Sequence, residues 1–228
     1  MCDSQYNAED LRQLGYGPST VLPIPFFRDE FLTQPGDGDI LARYQDGLTN
    51  ILFVGRLAPN KCQHDVVRAF DYYQKHHNPR SRLILAGLAS GSEAYTLHLR
   101  HLIDELRTEN VIVTGHVAFS QLIAYYQTAH AFLCLSEHEG FCIPLLEAMH
   151  FRVPIVAFDG SAVTETLAGS GVMVDSKEPK IVAQALLRVL SDKTFAAKQI
   201  EAQLKQLERF SESQFRDRLA SMLADALA

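Results

Sequence analysis

Between residues 50 and 175 two kinds of segment alternate, without any internal sequence repeat: short apolar runs, and stretches with apolar residues at helical spacing. The runs are NILFVG (50–55), RLILAG (82–87), NVIVTG (110–115), AFLCLS (131–136), PIVAFD (154–159) and GVMVD (171–175). They are continuously apolar, which predicts strands buried on both faces. HDVVRAFDYYQKHH (64–77), EAYTLHLRHLIDELRT (93–108), SQLIAYYQTA (120–129), PLLEAM (144–149) and VTETLAG (163–169) alternate with them and predict helices. Pro144 suits the start of its helix, where a missing N–H costs nothing. The alternation predicts an α/β fold: a Rossmann-like parallel sheet with helices on both faces, joined by right-handed crossovers. Ligands of such sheets bind beyond the carboxyl ends of the strands. The search for function therefore narrows to Gly55–Lys61, Gly87–Ser92, Gly115–Phe119, Ser136–Ile143 and Asp159–Glu165.

The flanks read differently. QYNAEDLRQL (5–14) predicts a short helix with Ser4 as its N-cap. GYGP breaks it, TVLPIPFF reads as an extended run, and TQPGDGD (33–39) reads as a turn-rich linker. PKIVAQALLRVLSD and ESQFRDRLASMLADALA carry helical patterns to the end.

With 228 residues the chain is one large domain, or one domain and part of another. Its net charge of −6 offers no general attraction to nucleic acid or anionic lipid, so any phosphate site must be local. Cys2, Cys62, Cys134 and Cys142 form no CxxC pair and read as reduced thiols of a reducing compartment. No run approaches the length of a membrane span, and MCDSQYNAED does not read as a signal peptide. His98 and His101 could share a helix face, but no carboxylate or cysteine set completes a metal site with them.

Two loops carry chemistry. In GRLAPNK, Gly55 permits a sharp turn, and Arg56 and Lys61 bring a guanidinium fork and an ammonium to one short loop. Two such cations suit phosphate oxygens. Neither a Walker loop nor a GxGxxG fingerprint is present. In SEHEGFCIPLLEAM, Glu139 precedes an apolar turn and Glu147 lies about one turn inside the helix. Gly140 allows close approach of a ligand to the backbone. Phe141, Cys142 and Ile143 present N–H groups at the helix start, where an anion or a sugar hydroxyl can bind. Glu147 can accept two hydrogen bonds from a vicinal diol such as a ribose offers. The two glutamates would then grip different ends of one ligand.

GRLAPNK followed by EGFCIPLLEAM and RVPIVAFDGSAVTE resembles the retaining GT-B glycosyltransferases of family 4, the group 1 set, over about residues 50–190. The resemblance implies that this chain is the C-terminal, donor-binding half of a GT-B fold. It implies that Glu139 faces the donor sugar, Glu147 holds the ribose, and Arg56 and Lys61 hold the diphosphate. Base contacts fall on His116 and Val117 in the loop after the third strand. Glu139, Arg56 and Lys61 are the implied catalytic groups. No cofactor and no metal are expected; the DGD at 37–39 matches a metal-binding DxD but lies in the linker. The substrate class is a nucleoside-diphosphate sugar, with GDP-mannose suggested by mannosyltransferase-like members that build surface polysaccharides. The acceptor would be a glycan or a lipid-linked sugar. The expected location is cytoplasmic, with at most peripheral contact at the inner face of the cell membrane.

Three positions depart from the family pattern. Cys142 replaces the second glycine of EGFG, and its side chain is expected to narrow the sugar pocket. Cys62 follows Lys61 where glycine is common. GSAVTE replaces a glycine-and-proline turn, leaving Glu165 as the matched residue. The expected domains are 1–47, the tail of a preceding acceptor domain plus linker; 48–208, the Rossmann-like nucleotide-sugar domain; and 209–228, a C-terminal helix. A nicotinamide oxidoreductase is disfavoured by the missing glycine fingerprint. A sugar-nucleotide-binding module without catalysis stays open.

Overall fold

The structure, a computed structural model, describes residues 1–88 and 91–227. Ala89 and Ser90 of the predicted loop Gly87–Ser92, and Ala228 of the predicted last helix, lie outside the described residues. In chain order the helices and strands are α1 (Gln5–Gln13), α2 (Arg28–Thr33), α3 (Gly38–Tyr44), β1 (Thr49–Val54), α4 (Gln63–His76), β2 (Ser81–Ala86), α5 (Glu93–Leu106) and β3 (Val111–Gly115). There follow α6 (Phe119–Thr128), β4 (Ala131–Cys134), α7 (Ile143–His150), β5 (Ile155–Phe158), α8 (Ser161–Leu167), β6 (Val172–Val174), α9 (Pro179–Ser191), α10 (Lys193–Leu207) and α11 (Glu212–Leu227). All six strands lie where the apolar runs predict them.

The strands form one parallel sheet in the order β3-β2-β1-β4-β5-β6. Successive residues of a strand point to opposite faces, and this divides the core in two. Leu52, Ile84, Ala86, Phe132, Cys134, Ile155 and Ala157 face one way, against α6 and α7. Ile51, Phe53, Leu83, Leu85, Leu133 and Val156 face the other, against α4, α5 and α9. Every one of these strand residues is at most 1% exposed, so helices cover both faces as the uninterrupted apolar runs require. Strand order reverses between β1 and β4, which pair through Ile51–Ala131 and Leu52–Phe132. That reversal is the topological switch point, where loops diverge and leave a crevice.

The reading of 33–39 as a turn-rich linker is corrected. Asp37 is the N-cap of α3: its Oδ1 accepts the Ile40 N–H at 3.0 Å, and Asp39 sits in the first turn. Ile40 and Tyr44 of α3 are buried against α6. Aspartates favour both turns and helix starts, because the same carboxylate satisfies a free backbone N–H in either setting. At the other end of the sheet β1 carries a buried polar group. Asn50 Nδ2 donates to the carbonyls of Tyr44 (2.8 Å) and Thr128 (3.0 Å), and its Oδ1 accepts from Arg82 (3.0 Å).

Candidate functional site

The loop after β1 is held by backbone crowding. A Cβ on Gly87 would stand 1.9 Å from the Gly55 carbonyl oxygen, so glycine is required where the loops after β1 and β2 cross. Leu57 is buried and anchors the loop, and Gln63 Nε2 donates to the Arg56 carbonyl at 2.9 Å. The Arg56 side chain is exposed and has no ion-pair partner among the described residues. A single 3₁₀ turn at Pro59–Lys61 then aims the Lys61 ammonium inward. It donates to Glu139 Oε2 at 2.6 Å.

The loop after β4 is stitched to the first one across the switch point. Glu137 N–H donates to the Asn60 carbonyl at 2.9 Å, and Asn60 Nδ2 donates to the His138 carbonyl at 3.2 Å. Glu139 is 8% exposed, its N–H donating to Ser161 Oγ at 3.1 Å. Phe141 is buried with its ring edge-on to Phe210, and its carbonyl accepts from Thr166 Oγ at 2.7 Å. The N–H groups of Phe141, Cys142 and Ile143 meet no protein acceptor among the described residues, and they open α7. The positive end of that helix dipole therefore opens in the loop that carries Glu139, at the carboxyl edge of the sheet.

Glu147 sits one turn into α7, as the spacing predicts. It is largely buried, and Tyr126 OH donates to its Oε2 at 2.7 Å. Burial pushes the Glu147 carboxyl above its usual range, while the tyrosine hydrogen bond pulls the other way. Burial and the adjacent carboxylate push the Tyr126 hydroxyl well above its ordinary value. Phe151 stacks on the Tyr126 ring at 5.3 Å. His116 and Val117 lie on the same carboxyl edge of the sheet, in the loop after β3 and two strands from the switch point. His116 is exposed, and Val117 packs partly against the core.

All three departures from the family pattern fall at left-handed backbone: Cys62 (φ 52°), Cys142 (φ 71°) and Ser161 (φ 54°). Glycine is at ease there, and other L-residues are strained by about 1–2 kcal/mol. Cys142 does not line the crevice as expected. Its side chain is only 7% exposed, and its sulfur packs 4.0 Å from that of Cys134. An apolar thiol gains more from the core beneath the loop than from water above it. Cys134 is held below its ordinary value by the hydrogen bond it shares with Cys142. Ser161 puts its hydroxyl to use as the acceptor for the Glu139 N–H.

Two features have no signal in the local sequence. The Glu165 carboxylate accepts the Gln5 N–H (2.8 Å) and the Tyr6 N–H (3.3 Å), docking the N-terminus of α1 on α8. A Cβ on Gly140 would stand 2.8 Å from Asn7 Nδ2, and Tyr6 packs edge-on to His138 at 5.7 Å. Helix α1 thus lies against the loop that carries Glu139, and a side chain at 140 would have to displace the Asn7 amide. Tyr126 likewise carries no mark in sequence as the partner of Glu147, since the contact is made only when α6 and α7 pack.

Sheet order and the charged groups at its switch point define a class: a Rossmann-like α/β domain whose ligand edge is the carboxyl edge. The chain belongs to the glycosyl transferases group 1 family, whose model matches residues 44–206. It is 29% identical over 225 residues to the D-inositol 3-phosphate glycosyltransferase of Acidothermus cellulolyticus, covering 94% of this chain and 50% of that one. It is 26% identical over 161 residues to the O-antigen chain mannosyltransferase B of Escherichia coli, covering 70% and 42%. The chain thus spans about half the length of the curated relatives it matches. Among solved structures, Anabaena HepE in complex with UDP and glucose superposes with a TM-score of 0.84 at 21% identity, covering 98% of this chain and 62% of that one. The sheet and its helices are those of the GT-B glycosyltransferases.

Proposed function

We propose that this chain is the donor-binding part of a metal-independent retaining glycosyltransferase. It holds a nucleoside-diphosphate hexose for transfer to a glycan or a lipid-linked acceptor. The observation that carries the reading is the Lys61–Glu139 pair at the switch point, with Arg56 exposed in the same loop as Lys61 and α7 opening from the loop of Glu139. Without a ligand, Lys61 neutralises a carboxylate that burial would otherwise penalise. A bound diphosphate offers oxygens to Lys61, to the Arg56 fork and to the N–H groups of Phe141, Cys142 and Ile143. Glu139 is then free to face the sugar, and the second oxygen of Glu147 remains for the ribose diol. Charge that builds on the departing diphosphate would meet fixed positive groups rather than reorganising water.

The resemblance to an O-antigen mannosyltransferase supports mannose as the sugar and a place in surface polysaccharide synthesis. The HepE complex supports a UDP-sugar. GDP-mannose and UDP-glucose are therefore the two donors to compare. Among the described residues no helix is long and apolar enough to cross a membrane, which is compatible with cytoplasmic action at most peripheral to a bilayer. The test is a thermal-shift panel of GDP, UDP, ADP and NAD. One nucleoside diphosphate should raise the melting temperature by several degrees at saturating concentration, with little effect from NAD. A response to NAD alone would overturn the reading.

A further inference from the structure

Cys134 ends β4 and Cys142 caps α7, and the fold puts their sulfurs 4.0 Å apart. A carboxylate oxygen of Glu139 joins them: the three ligand atoms all lie within 4.8 Å of one another, and all three residues are buried. Two thiolates on a tetrahedral zinc ion, with Zn–S bonds of about 2.3 Å, stand about 3.8 Å apart. The two sulfurs therefore already have the spacing of a metal-bound pair, and a carboxylate oxygen lies within 4.8 Å of both. The set also balances charge. Two thiolates and a carboxylate carry three negative charges and a divalent ion two positive ones. The Lys61 ammonium, 2.6 Å from Glu139 Oε2, neutralises the remainder. Ser136 Oγ, 3.5 Å from the Cys134 sulfur, gives that thiolate a polar neighbour as well. Cys142 occupies left-handed backbone that glycine would adopt without strain, so the thiol is present despite the conformation and not because of it.

We propose that Cys134, Glu139 and Cys142 form a binding site for one thiophilic divalent ion beneath the loop after β4. An ion there would hold Glu139 through one carboxylate oxygen while Lys61 keeps the other, so the site would act as an inhibitory one wherever Glu139 must turn to a ligand. The other grouping of this kind, Cys62 with His64 and Asp65, is a poorer candidate. The Lys177 ammonium already occupies the Cys62 sulfur itself at 3.2 Å, whereas Lys61 meets a carboxylate that has a second oxygen, and His64 Nδ1 is engaged by Tyr95 OH at 2.9 Å.

The site stands on its own ligands and does not depend on the donor reading, so it can be tested without nucleotide. The chain, kept reduced with a phosphine, is titrated with Zn²⁺ against a chromogenic chelator, and with Cd²⁺ while the ultraviolet thiolate-to-metal band is followed. One ion per chain is expected. Cys134→Ser and Glu139→Gln should each weaken zinc binding roughly tenfold or more, and His64→Ala should not. The cadmium band should fall by about half in Cys134→Ser, as one of two thiolates is lost. Melting curves of the variants, taken without metal, establish that each is folded, and Glu139→Gln carries the test should the core serine unfold the chain. A parent chain that holds no zinc, a Cys134→Ser chain that holds it as tightly, or loss confined to His64→Ala would each overturn the proposal.

Discussion

Arg56 and Lys61 look equivalent in GRLAPNK, but the fold separates them. Arg56 is exposed and uncommitted, while Lys61 must release Glu139 before it can serve a phosphate. Arg56→Ala should therefore weaken nucleoside diphosphate binding by about 1.5–3 kcal/mol, the worth of a charge-assisted hydrogen bond. Lys61→Ala should weaken it less, and should lower the melting temperature as well, because it strands a buried carboxylate. Calorimetry with the diphosphate and the bare nucleoside checks both; equal losses for the two ligands would mean neither cation meets phosphate. Glu147 permits a prediction with a definite sign. Burial raises its carboxyl, so between the ordinary value and the raised one the folded chain keeps a proton that the unfolded chain gives up. Stability must then fall as pH rises through that window. Glu147→Gln should flatten the slope and leave the ligand-free chain at least as stable at neutral pH, while ribonucleotides bind less well. Tyr126→Phe should also weaken ribonucleotides but spare 2′- and 3′-deoxy ligands, since Tyr126 acts only by holding Glu147. A steeper pH slope in the glutamine variant would place the titrating group elsewhere.

At the scale of elements, β1 reads as one apolar run, and its Asn50 is easily passed over. The structure gives this side chain three partners: two carbonyls that close the helices on either side, and the Arg82 guanidinium. Arg82 in turn holds Asp46 and lies over the Tyr44 ring at 4.8 Å. Asn50→Leu fills the space but orphans buried groups at about 1–3 kcal/mol each, so a loss of roughly 2–5 kcal/mol in urea unfolding is expected. A loss under 1 kcal/mol would indicate that water replaces the amide. Asn50 also marks the limit of what was legible. Strands, crossovers, and the placing of Lys61, Glu139 and Glu147 at strand ends follow from periodicity and motif spacing. Both depend on neighbours a few positions apart. The helix α3 was hidden because Asp37 signals a turn and a cap alike. The contacts of Asn50 with Arg82, Tyr126 with Glu147, Glu165 with α1, and Cys134 with Cys142 depend on which elements pack together. No local pattern encodes those meetings.

At the scale of the molecule, the described residues hold one doubly wound sheet, and its ligand edge is lined by groups suited to a donor. Positioning an acceptor hydroxyl is a separate task, and good orientation can contribute roughly 7–11 kcal/mol to a reaction of this kind. Helix α1 already lies beside the Glu139 loop, its N-terminus held by the Glu165 carboxylate. That contact joins α1 to α8 and to the loop after β4. The expectation is that this chain binds a nucleotide sugar but transfers it slowly, because the groups gathered at its ligand edge address the donor and none is assigned to aligning an acceptor. The comparison is a fusion to the half of the Acidothermus cellulolyticus relative that it does not cover, as a source of groups for an acceptor. Release of the nucleoside diphosphate should then depend on an added acceptor and exceed the rate of the chain alone by at least a hundredfold, about 2.7 kcal/mol. Two outcomes separate the readings. Equal and substantial transfer by both proteins would place a complete active site within these 228 residues. Tight donor binding with no transfer from either would favour a sugar-nucleotide-binding module, with the Lys61–Glu139 pair serving recognition alone.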